Sequence, residues 1–316
     1  MAEARPVALV IGASRGIGRQ IAIDLAKAGY VVIAAAKSTS DPAALSVFPP
    51  DPNSASSTIS TVAAEITQQG NACIAMAVDV RSTESIIALF ADVAARFHRL
   101  DALVYNAGAI WWAPVAKTSI KRFKLLQSVN IDGLYSSLQA ALPLFERAGW
   151  RCRVVVVCPP IYSRFFRGKA AYAVGKVGMS VLVKGLAMDW ERDGKNEMAI
   201  SGIWPAVAIE SAATQRFTSK DANERAELRT AAVFSDAVVA VLEAEPAVTN
   251  GQLFTDEDFL REHRGVADFD RYNVVPGSKP RRIMPKKFPV LTVEEQDDEG
   301  KRVDSTAMDQ KRLSKL

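Results

Sequence analysis

Seven short apolar runs, rich in β-branched residues or alanine, recur along the chain: VALVI (7–11), VVIAAA (31–36), ACIAMAV (72–78), ALVY (102–105), RVVVVC (153–158), AISGIW (199–204) and GQLFT (251–255). Between them the apolar positions change to helical spacing, as in IGRQIAIDLAKAG (17–29), ISTVAAEITQQ (59–69) and TESIIALFADVAARF (83–97). A strand buried on both faces shows no alternation, so continuous apolar runs separated by amphipathic helices predict a parallel sheet covered on both sides. The expected fold class is α/β, a doubly wound, Rossmann-like sheet of seven strands. Its ligand crevice should lie at the carboxyl ends of the strands.

Two stretches break this rhythm. Residues 38–58, rich in Ser and Pro, read as a surface loop inserted after the second strand. After residue 256 the alternation stops, and the tail carries KPRRIMPKK and EEQDDEGKR. The expected division is therefore a nucleotide-binding domain over 1–258 and an extension over 259–316. Composition narrows the possible partners. A formal charge of +4 that is not gathered into one face argues against nucleic acid. Cys73, Cys152 and Cys158 are odd in number and lack CxxC spacing, which fits a reducing compartment. With His98 and His263 as the only histidines, neither a metal centre nor a histidine-based triad is expected. No leader pattern opens the chain and no membrane span is expected.

The first strand runs into GASRGIG, with Gly12, Gly16 and Gly18 ahead of a helix. Glycines let the backbone turn tightly and approach a pyrophosphate, whose charge then meets N–H groups at the helix N-terminus. The second strand ends on Ala36, Lys37 and Ser38, where many NAD-binding folds carry an acidic residue. Lys37 and Arg15 are candidates to pair with a 2′-phosphate, which favours NADP(H), NADPH over NADH. Both also read as solvated cations, and Asp41 stands close by. Further on, Tyr172 and Lys176 have the i,i+4 spacing of one helix face. There an ammonium beside a phenol should favour the phenolate and bring its pKa toward working pH.

GASRGIG, Asp79 within VDV, Asn106-Ala107-Gly108, Asn130 and the run from Tyr172 to Lys176 fall in order along the chain. Together they resemble the short-chain dehydrogenase/reductase family over about residues 6 to 256. The resemblance implies hydride transfer between a nicotinamide cofactor and a carbonyl or alcohol, with Tyr172 exchanging a proton with the substrate oxygen. It also implies that Lys176 holds the nicotinamide ribose, that Asn130 supports a proton-relaying water, and that Asp79 and Asn106 contact adenine and the cofactor wall. Gly12, Ser14, Arg15, Gly16, Ile17 and Gly18 then cradle the phosphates, Pro205 and Ile209 belong to the cofactor site, and 206–220 form a lid. Dimers or tetramers would form through helices near 118–146 and 171–191.

The family's substrate-orienting serine stands about thirteen residues before the tyrosine, and Pro159 occupies that place here. Proline has neither hydroxyl nor N–H to offer a substrate oxygen. Ser163, Tyr162 and the Cys158 thiol are the local candidates to substitute; without one, the protein would bind NADP with little turnover. The Pro159-Pro160 pair, an aromatic loop, Ala171 to Ser180, Trp204-Pro205, the lysine after VVIAA and the inserted loop resemble the hydroxysteroid dehydrogenase-like protein 2 branch. That resemblance implies peroxisomes and fatty-acid metabolism. The chain ends in Ser314, Lys315 and Leu316, and SKL at a C-terminus is read by the peroxisomal import receptor. Trp111 and Trp112 after the Asn106 turn, and Tyr162, Phe165 and Phe166 after the fifth strand, should approach the crevice mouth. They suit a lipophilic or aromatic substrate, and equally read as core or dimer packing.

Overall fold

The computed structural model describes residues 5–219, 221–293 and 305–306. All seven apolar runs form strands: β1 Val7–Ile11, β2 Val31–Ala36, β3 Cys73–Ala77, β4 Ala102–Tyr105, β5 Arg153–Val157, β6 Ala199–Trp204 and β7 Leu253–Thr255. They make one parallel sheet in the order β3-β2-β1-β4-β5-β6-β7. The order reverses between β1 and β4, and the carboxyl ends of those two strands open the crevice. Ile11 pairs with Tyr105, which pairs with Val156, so Gly12, Asn106 and the exit of β5 come level with one another.

The helices are α1 Gly16–Lys27, α2 Ile59–Gln68, α3 Thr83–Phe97, α4 Ile120–Gln127, α5 Gly133–Arg147, α6 Ala170–Arg192, α7 Gln215–Thr218, α8 Ala231–Glu243, α9 Pro246–Thr249 and α10 Asp256–Arg264. On one face of the sheet, Ile21 and Leu25 of α1, Val62 and Ile66 of α2 and Phe234 and Val238 of α8 pack against Ala8, Val10 and Val104. On the other, Phe90 of α3, Phe145 of α5 and Val183 and Trp190 of α6 cover Leu9, Leu103 and Val154. Burial of each such Leu, Ile or Phe side chain contributes about 1.5–3 kcal/mol. The α6 helix is long and apolar enough by composition to cross a membrane, but half of it is buried and it packs on the sheet.

The compact unit extends to Lys286, beyond the expected boundary at 258, which falls inside α10. Phe259 and Leu260 bury that helix against α8. They are the only apolar residues in DEDFLREHR, too few to give a helical stripe in the sequence. Residues 287–293 fall outside that unit, and Ser314, Lys315 and Leu316 lie outside the described residues.

The 38–58 loop is pinned to the turn between β1 and α1. Ser57 Oγ donates to the Ser14 carbonyl at 2.8 Å, and Gly16 N–H donates to the Pro52 carbonyl at 2.8 Å. Thr58 then caps α2 in a reciprocal capping box with Thr61. Asp41 accepts from Ala43 N–H at 2.9 Å as the cap of a short turn, and so is engaged locally.

Candidate active site

At the exit of β1 the backbone must pass beneath the β4 exit. Gly12 sits at φ 91°, and a Cβ there would stand 2.6 Å from Ala107 N. A Cβ on Gly18 would stand 2.5 Å from Asn106 Nδ2 and overlap the Gly12 carbonyl. Asn106 binds the turn from behind, its Nδ2 donating to the Gly12 carbonyl at 2.9 Å and its backbone N–H to Ile11 at 2.9 Å. The first turn of α1 has no side-chain cap and no carboxylate, so it presents its dipole to an incoming anion.

Above this turn lies a cleft of about 510 Å³ that brings together Gly12, Ser14, Arg15, Lys37, Asp79, Asn106 and Gly108. Its shape and glycine floor fit the adenosine and phosphate portion of a dinucleotide. Arg81 also lines it, and sequence reasoning had passed over that residue although it stands two places after Asp79. Asp79 pairs with Arg81 at 2.5 Å and with Lys37 at 3.2 Å. The Arg81 guanidinium, more than Lys37, holds the Asp79 carboxyl well below the usual carboxylate range. Three cations and one carboxylate thus face the cleft, and the exposed Lys37 reaches it paired with Asp79. Ile17 is half-buried against the core, and Pro205 is half-buried just beyond β6. The Ile209 side chain is buried in the core, and its carbonyl accepts from Thr214 Oγ1 at 3.0 Å.

Gly108 connects this cleft to the Tyr172 and Lys176 pair. A Cβ on Gly108 would meet Lys176 Nζ at 3.3 Å and Asn130 Oδ1 at 3.4 Å. Asn130 is fully buried in a π-turn, Ser128–Asp132, between α4 and α5. Its amide clamps Ala109, accepting from the backbone N–H at 3.1 Å and donating to the carbonyl at 3.2 Å. A π-turn bends a helix to aim one residue, and here it aims Asn130 at the 106–109 loop.

The electrostatics of Tyr172 and Lys176 differ from the expectation. Lys176 is 3% exposed, its Nζ donates to the Val157 carbonyl at 2.8 Å, and burial lowers its pKa to about 8. Tyr172 is 2% exposed, and burial pushes its phenol up rather than down. Desolvation disfavours both charged forms, and the ammonium is directed at a backbone carbonyl. Trp112 stands edge to face with Tyr172, the ring centroids 6.4 Å apart, and opposes the phenol's rise in part. Spacing alone could not disclose this contact.

The structure also decides among the expected serine substitutes. Pro159 offers a carbonyl that accepts from Ser180 Oγ at 2.7 Å. The Tyr162 hydroxyl donates to Met284 Sδ at 3.3 Å, the Cys158 thiol is buried against Gly202, and Ser163 is exposed on a short turn. Met284 belongs to a strip that closes the lid side: Ile283 N–H donates to the Ala206 carbonyl at 2.8 Å, and Arg282 grips Asp258 with both nitrogens. Ala206 N–H in turn donates at 2.8 Å to Asp256, whose buried carboxyl is pushed up to about 7. Sequence reasoning missed Asp256, since an acidic residue at a helix start reads as solvated.

A parallel 3-2-1-4-5-6-7 sheet with a glycine turn at its switch point, and a Tyr and Lys one helical turn apart beside it, define a nucleotide-dependent dehydrogenase fold. The profile of the short chain dehydrogenase family matches residues 6–47 and 53–222, and the chain belongs to that family. The gap in the match falls within the 38–58 loop. Within the family it is similar to the hydroxysteroid dehydrogenase-like protein 2 of Rattus norvegicus, with 32% identity over 271 residues, covering 85% of this chain and 48% of the relative. The chain thus spans about half the length of that relative. A short chain dehydrogenase from Mycobacterium thermoresistibile superposes with a TM-score of 0.74 at 28% identity, covering 88% of this chain and 93% of the other. A structure from Beutenbergia cavernae with bound NADP at low occupancy superposes with a TM-score of 0.66 at 25% identity, covering 79% and 94%.

Proposed function

We propose that this chain is an NADP(H)-dependent oxidoreductase that interconverts a lipophilic or aromatic carbonyl compound and its alcohol. The observation that carries this reading is the convergence of Lys176 and Asn130 on Gly108, which lines the glycine-floored cleft, with Tyr172 buried one helical turn before Lys176 on α6. Bound nicotinamide would supply or accept a hydride. Tyr172 Oη would give its proton to the substrate oxygen during reduction and take it back during oxidation. Lys176, poised near 8, would hold the nicotinamide ribose and replenish the phenol's proton, with Asn130 fixing the backbone beside a relaying water. Arg15, Lys37 and Arg81 at the cleft, together with the NADP bound by the Beutenbergia cavernae neighbour, support NADP(H) over NAD(H). Phe165 and Trp112, with ring centroids 6.1 and 6.4 Å from that of Tyr172, supply an aromatic wall that suits an apolar substrate.

Exposed Tyr135, Val174, Val181 and Met188 along α5 and α6 support a homodimer or homotetramer through those helices. Import into peroxisomes through Ser314, Lys315 and Leu316 rests on the motif alone; a fluorescent fusion that stays cytosolic with or without Leu316 would dismiss it. The absence of a hydroxyl at Pro159 and the raised phenol favour a second reading, an NADP-binding protein with little turnover. A carbonyl panel separates the two: NADPH oxidation by the wild type that disappears in Tyr172→Phe supports the enzyme, and no turnover across acyl, steroid and aromatic carbonyls supports the binder.

A further inference from the structure

The inserted loop reaches the phosphate side of the crevice. The family profile leaves residues 48–52 unmatched, and the chain there folds back onto the first turn of α1. Pro52 presents its carbonyl to Gly16 N–H at 2.8 Å, and Ser57 Oγ donates to the Ser14 carbonyl at the same distance. Between these two anchors stands Asn53, its backbone N–H donating to the Asp51 carboxylate at 2.8 Å. Asn53 Oδ1 is buried and has no hydrogen-bond partner among the described residues. Native structures keep few such orphaned atoms, because burying one is unfavourable. This oxygen lies 3.5 Å from where a Cβ on Gly16 would stand, and Ser211 Cβ, from the segment after β6, lies 3.7 Å from the same place. Phosphate turn, inserted loop and lid segment therefore meet at Gly16.

We propose that Asn53 is a further dinucleotide-binding residue, through which the inserted loop holds the pyrophosphate against the N-terminus of α1. This rests on the NADP(H) reading above. Without cofactor, the positive end of the helix dipole favours the amide oxygen on this side. Half a turn about the Cβ–Cγ bond exchanges Oδ1 for Nδ2, and the amide then donates to a phosphate oxygen at the same helix end. No backbone movement is needed, since the bonds of Pro52, Asn53 and Ser57 keep the loop in place. A neutral amide suits the position, whereas a carboxylate there would favour the empty helix end and repel the pyrophosphate.

The test compares the full-length wild type with Asn53→Ala and Asn53→Asp. In fluorescence titration, Asn53→Ala weakens NADPH binding about tenfold and Asn53→Asp about 100-fold. Adenosine 2′-phosphate, which has no pyrophosphate, binds all three proteins within about twofold of one another in calorimetry. Unliganded Asn53→Asp melts at or above the wild-type temperature, because its carboxylate faces a helix N-terminus. A loop that served only the fold would lose NADPH affinity no further than it lost stability, so the opposite movement of the two in Asn53→Asp marks direct contact with the cofactor. Unchanged NADPH affinity in both variants overturns the proposal, and so does an equal loss for NADPH and adenosine 2′-phosphate. A wild type that takes up no NADPH fails the NADP(H) reading itself, and the proposal falls with it.

Discussion

Between β1 and α1 the chain turns on glycines, while beyond β5 it leaves the strand on two prolines and passes under aromatic rings before α6. Both passages open on the same crevice. In the first, the binding surface is backbone, and the charged groups around it are exposed and paired: Arg81 holds Asp79 firmly ionised. In the second, the polar groups are buried and shifted toward neutrality, with Lys176 at about 8 and the Tyr172 phenol raised, and Asp256 at the exit of β7 is shifted the same way, to about 7. A surface that binds a permanent polyanion gains from fixed charge, whereas proton exchange needs groups close to neutrality at working pH. The contrast teaches that the two ends of one crevice are specialised by solvation as much as by residue type.

The largest disruption on the phosphate side should come from Gly18→Val, whose Cβ has no room beside Asn106 and Gly12. Loss of dinucleotide binding in titration and destabilisation of about 3 kcal/mol or more in urea unfolding are expected. On the buried side, Asp256→Asn keeps the acceptor for Ala206 N–H and removes a carboxylate that is reluctant to ionise. The Asp256 pKa is raised from 3.8 to about 7 on folding, so the native state holds the extra proton between those values. Its ionisation therefore costs the wild type stability as pH rises from about 4 through about 7, and Asp256→Asn should be more stable by about 2–4 kcal/mol at pH 8 while matching the wild type near pH 4. Equal stability curves at both pH values would show that the two sides do not differ in solvation as described. Lys37→Ala should weaken NADPH binding about tenfold and leave NADH within about twofold, read by fluorescence titration. The smallest effect belongs to Ser57→Ala, which frees the loop from the Ser14 carbonyl and should cost about 1 kcal/mol in thermal unfolding.

The phosphate side was legible in the sequence because backbone approach leaves a residue signature: only glycine fits at positions 12 and 18. All seven strands were legible for a similar reason, since burial on both faces writes itself as unbroken apolar runs. The buried side was legible only as residue names. The spacing of Tyr172 and Lys176 established that they share a helix face, but which groups lose water depends on Phe165, Trp112 and the exit of β5, drawn from separate parts of the chain. The direction of the phenol's shift was therefore misjudged. The contact of Trp112 with Tyr172 likewise joins two separate segments and was not legible beforehand. The α10 helix and the closing strip around Met284 were hidden by their charge, which belongs to the outward side of segments whose few apolar residues face in.

A crystal structure of the NADPH complex tests the central claim most directly. The account predicts the nicotinamide ring beside Gly108, its ribose on Lys176, and one point within about 3.5 Å of both its C4 and Tyr172 Oη where a carbonyl group fits. A nicotinamide turned out of the crevice, or a Tyr172 hydroxyl beyond reach of that point, would contradict it.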